Sequence, residues 1–508
     1  MTPLRQDIAR YAEEIAQIAK KAGLDFFETR FEMVDFDTMQ QIAAYGGFPQ
    51  RYPHWRFGME YEKLRKQHVY GLGKIYEMVI NNDPCYAYLV ADNSVVDQKL
   101  VMAHVYAHCD FFKNNYWFSK TNRKMMDEMA NHATRIRKHV DRMGFDRVER
   151  FLDGCVSVDN LIDPHSPFMQ RNAKAEEPNL MSAERQVEKE IIRYKTKPYM
   201  DSWINPPERT RQQRESLLSE RAKKKHKIPP HPLRDVLQFL LDYAPLEDWE
   251  ADILSIVREE AYYYAPQGQT KIMNEGWATF WHSRLMTTKI LRDEDVITYA
   301  DHHSGTVAMG PGQVNPYKIG VELFRDIEDR WNRGRFGKDY EECKSMEEAR
   351  HWDKKLGQGM AKVFEVRRIY NDVTFIDEFL TPEFVERLKM YHYRYDPSTR
   401  RMVVVNRDFE KIKAQLLFML TNHGQPYIYV VDGNYANRGE LYMAHKHNGV
   451  DLDIKFAVET LKNVQRLWRR PVHLQALIND EMVLFSFDGE QGQQQKIHSD
   501  MPAPAHTL

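Results

Sequence analysis

His104 and His108 stand four residues apart in the segment His104-Val105-Tyr106-Ala107-His108, a spacing that puts both imidazoles on one helix face, a turn apart. Their side of the helix also carries Leu100, Val101, Ala107 and Phe111, so the pair points toward a core. Buried imidazoles need partners. Neutral imidazole nitrogens are common ligands of zinc and suit iron as well. Taken alone, the pattern is short in a chain with 20 histidines, and two core histidines satisfied by carbonyls and carboxylates would be the plainer account.

A second segment changes that balance. Met273-Asn274-Glu275-Gly276-Trp277-Ala278-Thr279-Phe280-Trp281-His282 has large apolar groups on nearly every side and reads as a buried helix. Glu275 and His282 lie two turns apart on one face, with the small residues Ala278 and Thr279 between them. A buried carboxylate without a partner is costly. Arg or Lys could meet it, but a metal ion accounts for both segments together. The expected ligands are His104, His108 and Glu275, with His282 as a fourth ligand or a group behind the ligands. Asp110, Asn114 and Asn274 are the polar neighbours expected to orient them. The expected cofactor is a divalent metal, zinc ahead of iron.

Other candidates carry less. Glu128 and His132 sit four apart beside Met125, Met129 and Ile136 and could reach the same interior, but read first as an ordinary helix-surface pair. His302 and His303, between Asp301 and Ser304-Gly305, read as loop residues. His54, in Tyr52-Pro53-His54-Trp55-Arg56-Phe57-Gly58, reads as part of a loop anchored by its aromatics. There is no serine elbow, and Cys109 has no activating context, which argues against acyl-enzyme chemistry. Tyr262-Tyr263-Tyr264 face several directions and read mainly as core.

The elements that must position these residues are mostly helical. Pro3 to Ala22 shows Ile8, Tyr11, Ile15 and Ile18 at helical spacing. Segments 73–90 and 94–118 follow, the second opened by a capping-box signature in Ser94 and Asp97. Further helices are expected over 121–142, 234–243, 247–264, 270–288, 317–333 and 346–370. Between about 170 and 232, Pro198, Pro206, Pro207, Pro229, Pro230 and Pro232 break the periodicity of a charged stretch, read as an exposed excursion; its basic run Arg221 to Lys227 reads as solvated surface. After 390 the pattern changes to strands at 391–396, 401–406, 426–432, 439–446, 471–477 and 480–486, with helices near 407–421 and 453–468. The fold class expected is α+β: a large, mostly helical domain over 1–388 and a small C-terminal domain of antiparallel hairpins over 389–508. That boundary falls in a window of about 385–425.

Composition bounds the partners. A chain of 508 residues calls for at least two structural units. Lys plus Arg (72) nearly balance Asp plus Glu (74), so no global field draws the chain to nucleic acid or anionic membrane. Four separated cysteines suggest neither a disulfide scaffold nor a cysteine zinc site, and no apolar run approaches the length of a membrane span. A cytoplasmic protein is expected.

Tyr52-Pro53-His54-Trp55 with Phe57-Gly58, Met102-Ala103-His104 continuing through His108 to Asp110-Phe111-Phe112-Lys113-Asn114-Asn115, Met273 to His282, and Asn315-Pro316-Tyr317 together resemble the stage V sporulation protein R family (SpoVR-like). The resemblance implies a cytoplasmic bacterial protein linked in spore formers to assembly of the spore cortex. It also implies a role in stress signalling with two partners encoded nearby, a PrkA-type serine protein kinase and a protein with a von Willebrand factor-like domain. No biochemical activity comes with it. A second resemblance bears on mechanism: His104 to Asn114 with the later Asn274-Glu275-Gly276-Trp277-Ala278 looks like the two zinc-binding helices of gluzincin metallopeptidases. There the two histidines and the later glutamate bind zinc. Here Val105 stands where those enzymes carry their general-base glutamate, and the two segments lie much further apart. Convergence, or a metal site put to another use, stays open at this point.

Two readings follow. One is a metal-dependent enzyme, resembling a degenerate metallohydrolase, in which a group other than residue 105 moves protons. The other is a non-catalytic regulatory or scaffold protein whose buried His/Glu cluster only fixes the fold.

Overall fold

The computed structural model describes residues 5–69, 77–169, 194, 196, 200, 203, 205–225, 227–343 and 345–497. In chain order the elements begin with α1 (Gln6–Lys21), β1 (Thr29–Val34), α2 (Phe36–Ala44), α3 (Trp55–Val69), β2 (Glu77–Ile80), β3 (Cys85–Val90) and α4 (Val95–Asn114). Then come α5 (Met125–Met143), α6 (Phe145–Val156), α7 (Pro207–Lys225), α8 (Val236–Tyr243), α9 (Asp248–Gln269) and α10 (Lys271–Leu285). They are followed by α11 (Val296–Thr306), α12 (Pro316–Arg333), α13 (Gly359–Ile369), α14 (Asp372–Phe379) and α15 (Pro382–Leu388). The last are β4 (His392–Asp396), β5 (Arg401–Asn406), α16 (Phe409–Leu420), β6 (Tyr427–Tyr435), β7 (Glu440–Lys446), α17 (Ile454–Trp468), β8 (Val472–Ile478), β9 (Glu481–Phe487) and β10 (Gly492–Lys496). The fold is α+β, largely helical before a small, mostly antiparallel sheet.

The chain forms two compact units, residues 1–149 with 262–425 and residues 150–261 with 426–508. The C-terminal stretch separates at 425/426, and β4, β5 and α16 stay with the first unit. Leu233 and Phe239 show how residues 150–261 join the C-terminal stretch. Leu233 exchanges two backbone hydrogen bonds with Val430 of β6, at 2.8 and 2.9 Å, and Phe239 of α8 packs on Trp468 of α17. The five strands run in the order β10-β9-β8-β7-β6. All neighbours are antiparallel except β7 and β8, which are parallel because α17 crosses over between them. Within 426–497 the hairpin expectation thus holds for every pair but one.

The first unit is built on α4. Ser94 Oγ accepts the Asp97 N–H at 3.2 Å, the capping contact its sequence announced. From Val96 to Phe112 every residue except Leu100 is buried, the polar Asp97, Gln98, Lys99 and Asp110 included. The three-stranded sheet β1-β3-β2 lies in this unit, with β1 parallel and β2 antiparallel to β3. Segment 73–90 thus carries two strands among its described residues and no helix; residues 73–76 lie outside them. Of the 170–232 stretch, residues 170–193 lie outside the described residues, and Pro207–Lys225 is helical. Among the described residues, no helix is long and apolar enough to cross a membrane.

Two contacts fix α10 against its neighbours. Its N-terminal amides lack a local cap, and the Asp372 carboxylate at the start of α14 accepts them instead, from Ile272 N at 2.8 Å and Met273 N at 2.9 Å. Further along, Gly276 lies directly on Gly320 of α12, so close that any side chain on either would strike the other's backbone. α10 continues past Leu285 into one π-helical turn, Met286–Ile290.

Candidate metal centre

α4 and α10 bring His104, His108 and Glu275 together, and the ligand-type atoms of the three lie within 4.8 Å of one another. Glu275 Oε2 sits 3.5 Å from His108 Nε2 and 3.7 Å from His104 Nε2. Both imidazoles are buried, and Glu275 is only 20% exposed. These separations are too long for hydrogen bonds. They are close to the ligand-to-ligand distance of about 3.4 Å expected around a tetrahedral ion with bonds of about 2.0–2.1 Å.

The proton inventory sharpens this. Asn274 Oδ1 lies 2.9 Å from His108 Nδ1. An amide oxygen only accepts, so Nδ1 carries the proton and Nε2 turns its lone pair toward the carboxylate. Burial, reinforced by the neighbouring His104, pushes the His108 pKa down to about 4, so the ring is neutral near pH 7. Burial opposes ionisation of Glu275, yet its carboxyl lies below its usual range, with the Tyr317 hydroxyl among the groups that favour the charge. A lone pair and a carboxylate therefore face each other in a buried space, an arrangement that a cation completes. Thr279 Oγ1, one turn further along the Glu275 face, is also buried and without a hydrogen-bond partner among the described residues.

Behind His104 runs a chain of rings. His104 Nδ1 lies 2.7 Å from His282 Nδ1, and His282 Nε2 lies 3.2 Å from His303 Nδ1. Burial drives the His282 pKa well down, with His104 and His303 adding to the effect. In a row of neutral rings the donors must all point one way. If His104 presents a lone pair at Nε2, its Nδ1–H donates to His282, and the Nε2–H of His282 donates to His303. His282 thus touches His104 from the side opposite Glu275 and stands outside the group of three.

The other expected residues divide. Asn274 contacts His108 as described. Asp110 instead accepts from Asp25 N at 2.7 Å and Trp277 Nε1 at 2.9 Å and faces Arg367 at 3.5 Å, so it ties α4 to α10 and to the chain entering β1. Burial raises its carboxyl to about 6. Asn114 Nδ2 donates to the carbonyls of Asp25 and Asp110 and belongs to the same anchor. His302 and His303 lie on α11 and not in a loop; His302 pairs with Asp97. Tyr317 was not singled out: its ring lies over His104, 6.2 Å between centroids. Its Asn315-Pro316-Tyr317 motif is a helix start, with Asn315 Oδ1 accepting the Tyr317 N–H at 2.9 Å, and that start is what aims the ring.

Comparison with known proteins places the chain. The family model described as SpoVR like protein matches residues 4–425, and that described as SpoVR-like C-terminal domain matches residues 426–479; the two meet where the C-terminal stretch separates. The chain is 29% identical over 493 residues to a protein of Escherichia coli (strain K12) described as uncharacterized protein YcgB, covering 92% of this chain and 91% of that protein. No solved structure matches. With both halves of the family pattern present in order, the chain belongs to the SpoVR-like family.

Proposed function

We propose that His104, His108 and Glu275 hold a divalent metal ion, zinc in preference to iron, and that the protein is a metal-dependent hydrolase. The observation that carries this is the His108–Glu275 pair. Asn274 fixes the His108 proton on the far side of the ring, so two acceptors stand 3.5 Å apart. The donor set of two neutral imidazoles and one carboxylate suits either ion. When bound, such an ion polarises a carbonyl or phosphoryl oxygen or activates water. The chain's own residues do the rest. Asn274 and His282 lock the two ligand rings in rotation and tautomer. Val105 leaves the usual general-base position empty of a titratable group, so proton handling falls to Tyr317, whose ring lies over His104.

The buried valine also favours a second reading, in which the ion is structural and the protein regulates without catalysis. In the cell, either form would serve stress signalling or spore-cortex formation from the cytoplasm, alongside the PrkA-type kinase and the von Willebrand factor-like partner. Elemental analysis of untagged protein tests the site: near-stoichiometric zinc or iron, lost in His108→Ala and Glu275→Ala, is expected. A metal-free parent after reconstitution would sink the proposal. Unfolding on chelation would favour the structural form.

A further inference from the structure

A cavity of about 350 Å³ opens between α10, α11 and α12, lined in part by Ser283, Arg284, Tyr299, His303, Arg325 and Glu328. Its volume is at the small end of ligand pockets. Arg284 is closed off by Glu328, which takes it in a two-pronged grip at 2.9 and 3.0 Å. Arg325 is held more loosely: Nη1 reaches Glu322 at 3.1 Å and Nη2 reaches Ser283 Oγ at 3.2 Å. Glu322 is shared with Lys318 Nζ at 3.3 Å. Of the charged residues lining the cavity, Arg284 is paired with Glu328, while Arg325 keeps guanidinium N–H groups to spare.

His303 completes one wall. Its ring stacks on Tyr299 at 5.6 Å and 14°, and its Nδ1 meets His282, so both orientation and height are fixed. Burial and the charges of Arg325 and Lys318 lower its pKa, in keeping with an electropositive space. With Nδ1 accepting from His282, Nε2 carries the proton and is a donor.

We propose that this cavity binds a small molecule bearing a carboxylate or phosphate group, seated on Arg325 with His303 as second donor. The site lies on the far side of His282 from Glu275; its anchor, Arg325, is independent of the metal, whereas the donor at His303 Nε2 rests on the ring order set out for the proposed metal site.

Titration calorimetry on the full chain, stripped of metal and held at constant ionic strength, tests it with inorganic phosphate in one arm and acetate in the other. Saturable binding of either is expected, and the stronger arm names the anion class. Arg325→Gln should weaken it about tenfold or more, the worth of one charge-assisted contact. Thr287→Trp, at an exposed lining position, should block binding by filling the space while leaving every charge in place. Binding that survives both substitutions, or heats that never saturate in either arm, would overturn the proposal. Should Arg325→Gln misfold by circular dichroism, Thr287→Trp alone decides.

Discussion

Gly276 and Gly320 meet backbone to backbone where α10 crosses α12: a Cβ on Gly276 would lie 2.6 Å from the Gly320 carbonyl carbon, and one on Gly320 would lie 2.5 Å from the Gly276 Cα. No flexible side chain can absorb that overlap, so the helices must part. Gly276→Ala or Gly320→Ala should therefore cost about 1–3 kcal/mol or more, read as a lower urea midpoint. Because Gly276 follows Glu275, metal content should fall with stability.

Residues that orient ligands should be separable from residues that hold the scaffold. Asn274→Ala removes the acceptor that fixes the His108 proton and should weaken metal affinity about 10–100-fold, measured by competition with a chromogenic chelator. Asn114→Ala removes contacts to Asp25 and Asp110 alone, the carbonyls of both and the Asp110 carboxylate. It should leave metal affinity unchanged while lowering the melting temperature. Equal affinity losses in both would mean that the ligand set is misassigned.

The metal-free protein should lose stability in acid through His108. Its pKa is pushed down to about 4 in the folded state, against about 6.5 when unfolded. The unfolded chain then binds more protons between those values, so the stability is whole above pH 6.5 and drains as pH falls toward 4. The amount is on the order of 3 kcal/mol. Asp372 and Asp110, raised to about 7 and about 6 by burial, slope the other way: their contribution is full in acid and fades as pH climbs through those values. The parent must therefore be compared with His108→Gln. The stability gap between them should close by that amount between pH 7 and pH 4; a constant gap would rule out a neutral buried His108.

Asp372→Ala would strand the amides of Ile272 and Met273 at the buried start of α10. A cost of about 2–6 kcal/mol is expected for two orphaned donors. Asp372→Asn, which keeps one acceptor oxygen, should fall between this variant and the parent in chemical denaturation.

The site was legible where chemistry and local geometry coincide. His104 and His108 follow from a four-residue spacing on a capped helix, and Glu275 from a carboxylate among tryptophans. His303 was not, because its role depends on how α11 packs against α10, a tertiary arrangement. Asp110 is expected to orient the ligands, yet it points to a different side of α4 from His108, since two residues along a helix do not share a face. The C-terminal strands were visible from alternation and turns. β1 and the strand character of 77–90 were not: β1 pairs in parallel with β3 across more than fifty residues, and nothing local announces such a partner. The same non-locality hid the union of 150–261 with the C-terminal stretch.

His108 and Asn274 touch across 166 residues of chain. During synthesis at about 5–20 residues per second, the two histidines of α4 leave the ribosome roughly ten to thirty seconds before their carboxylate partner exists. For that interval the nascent chain offers only a bare histidine pair to the surrounding pool of ions. On the proposed metal site, loading would have to await the second segment of the first unit, so translation would set its timing.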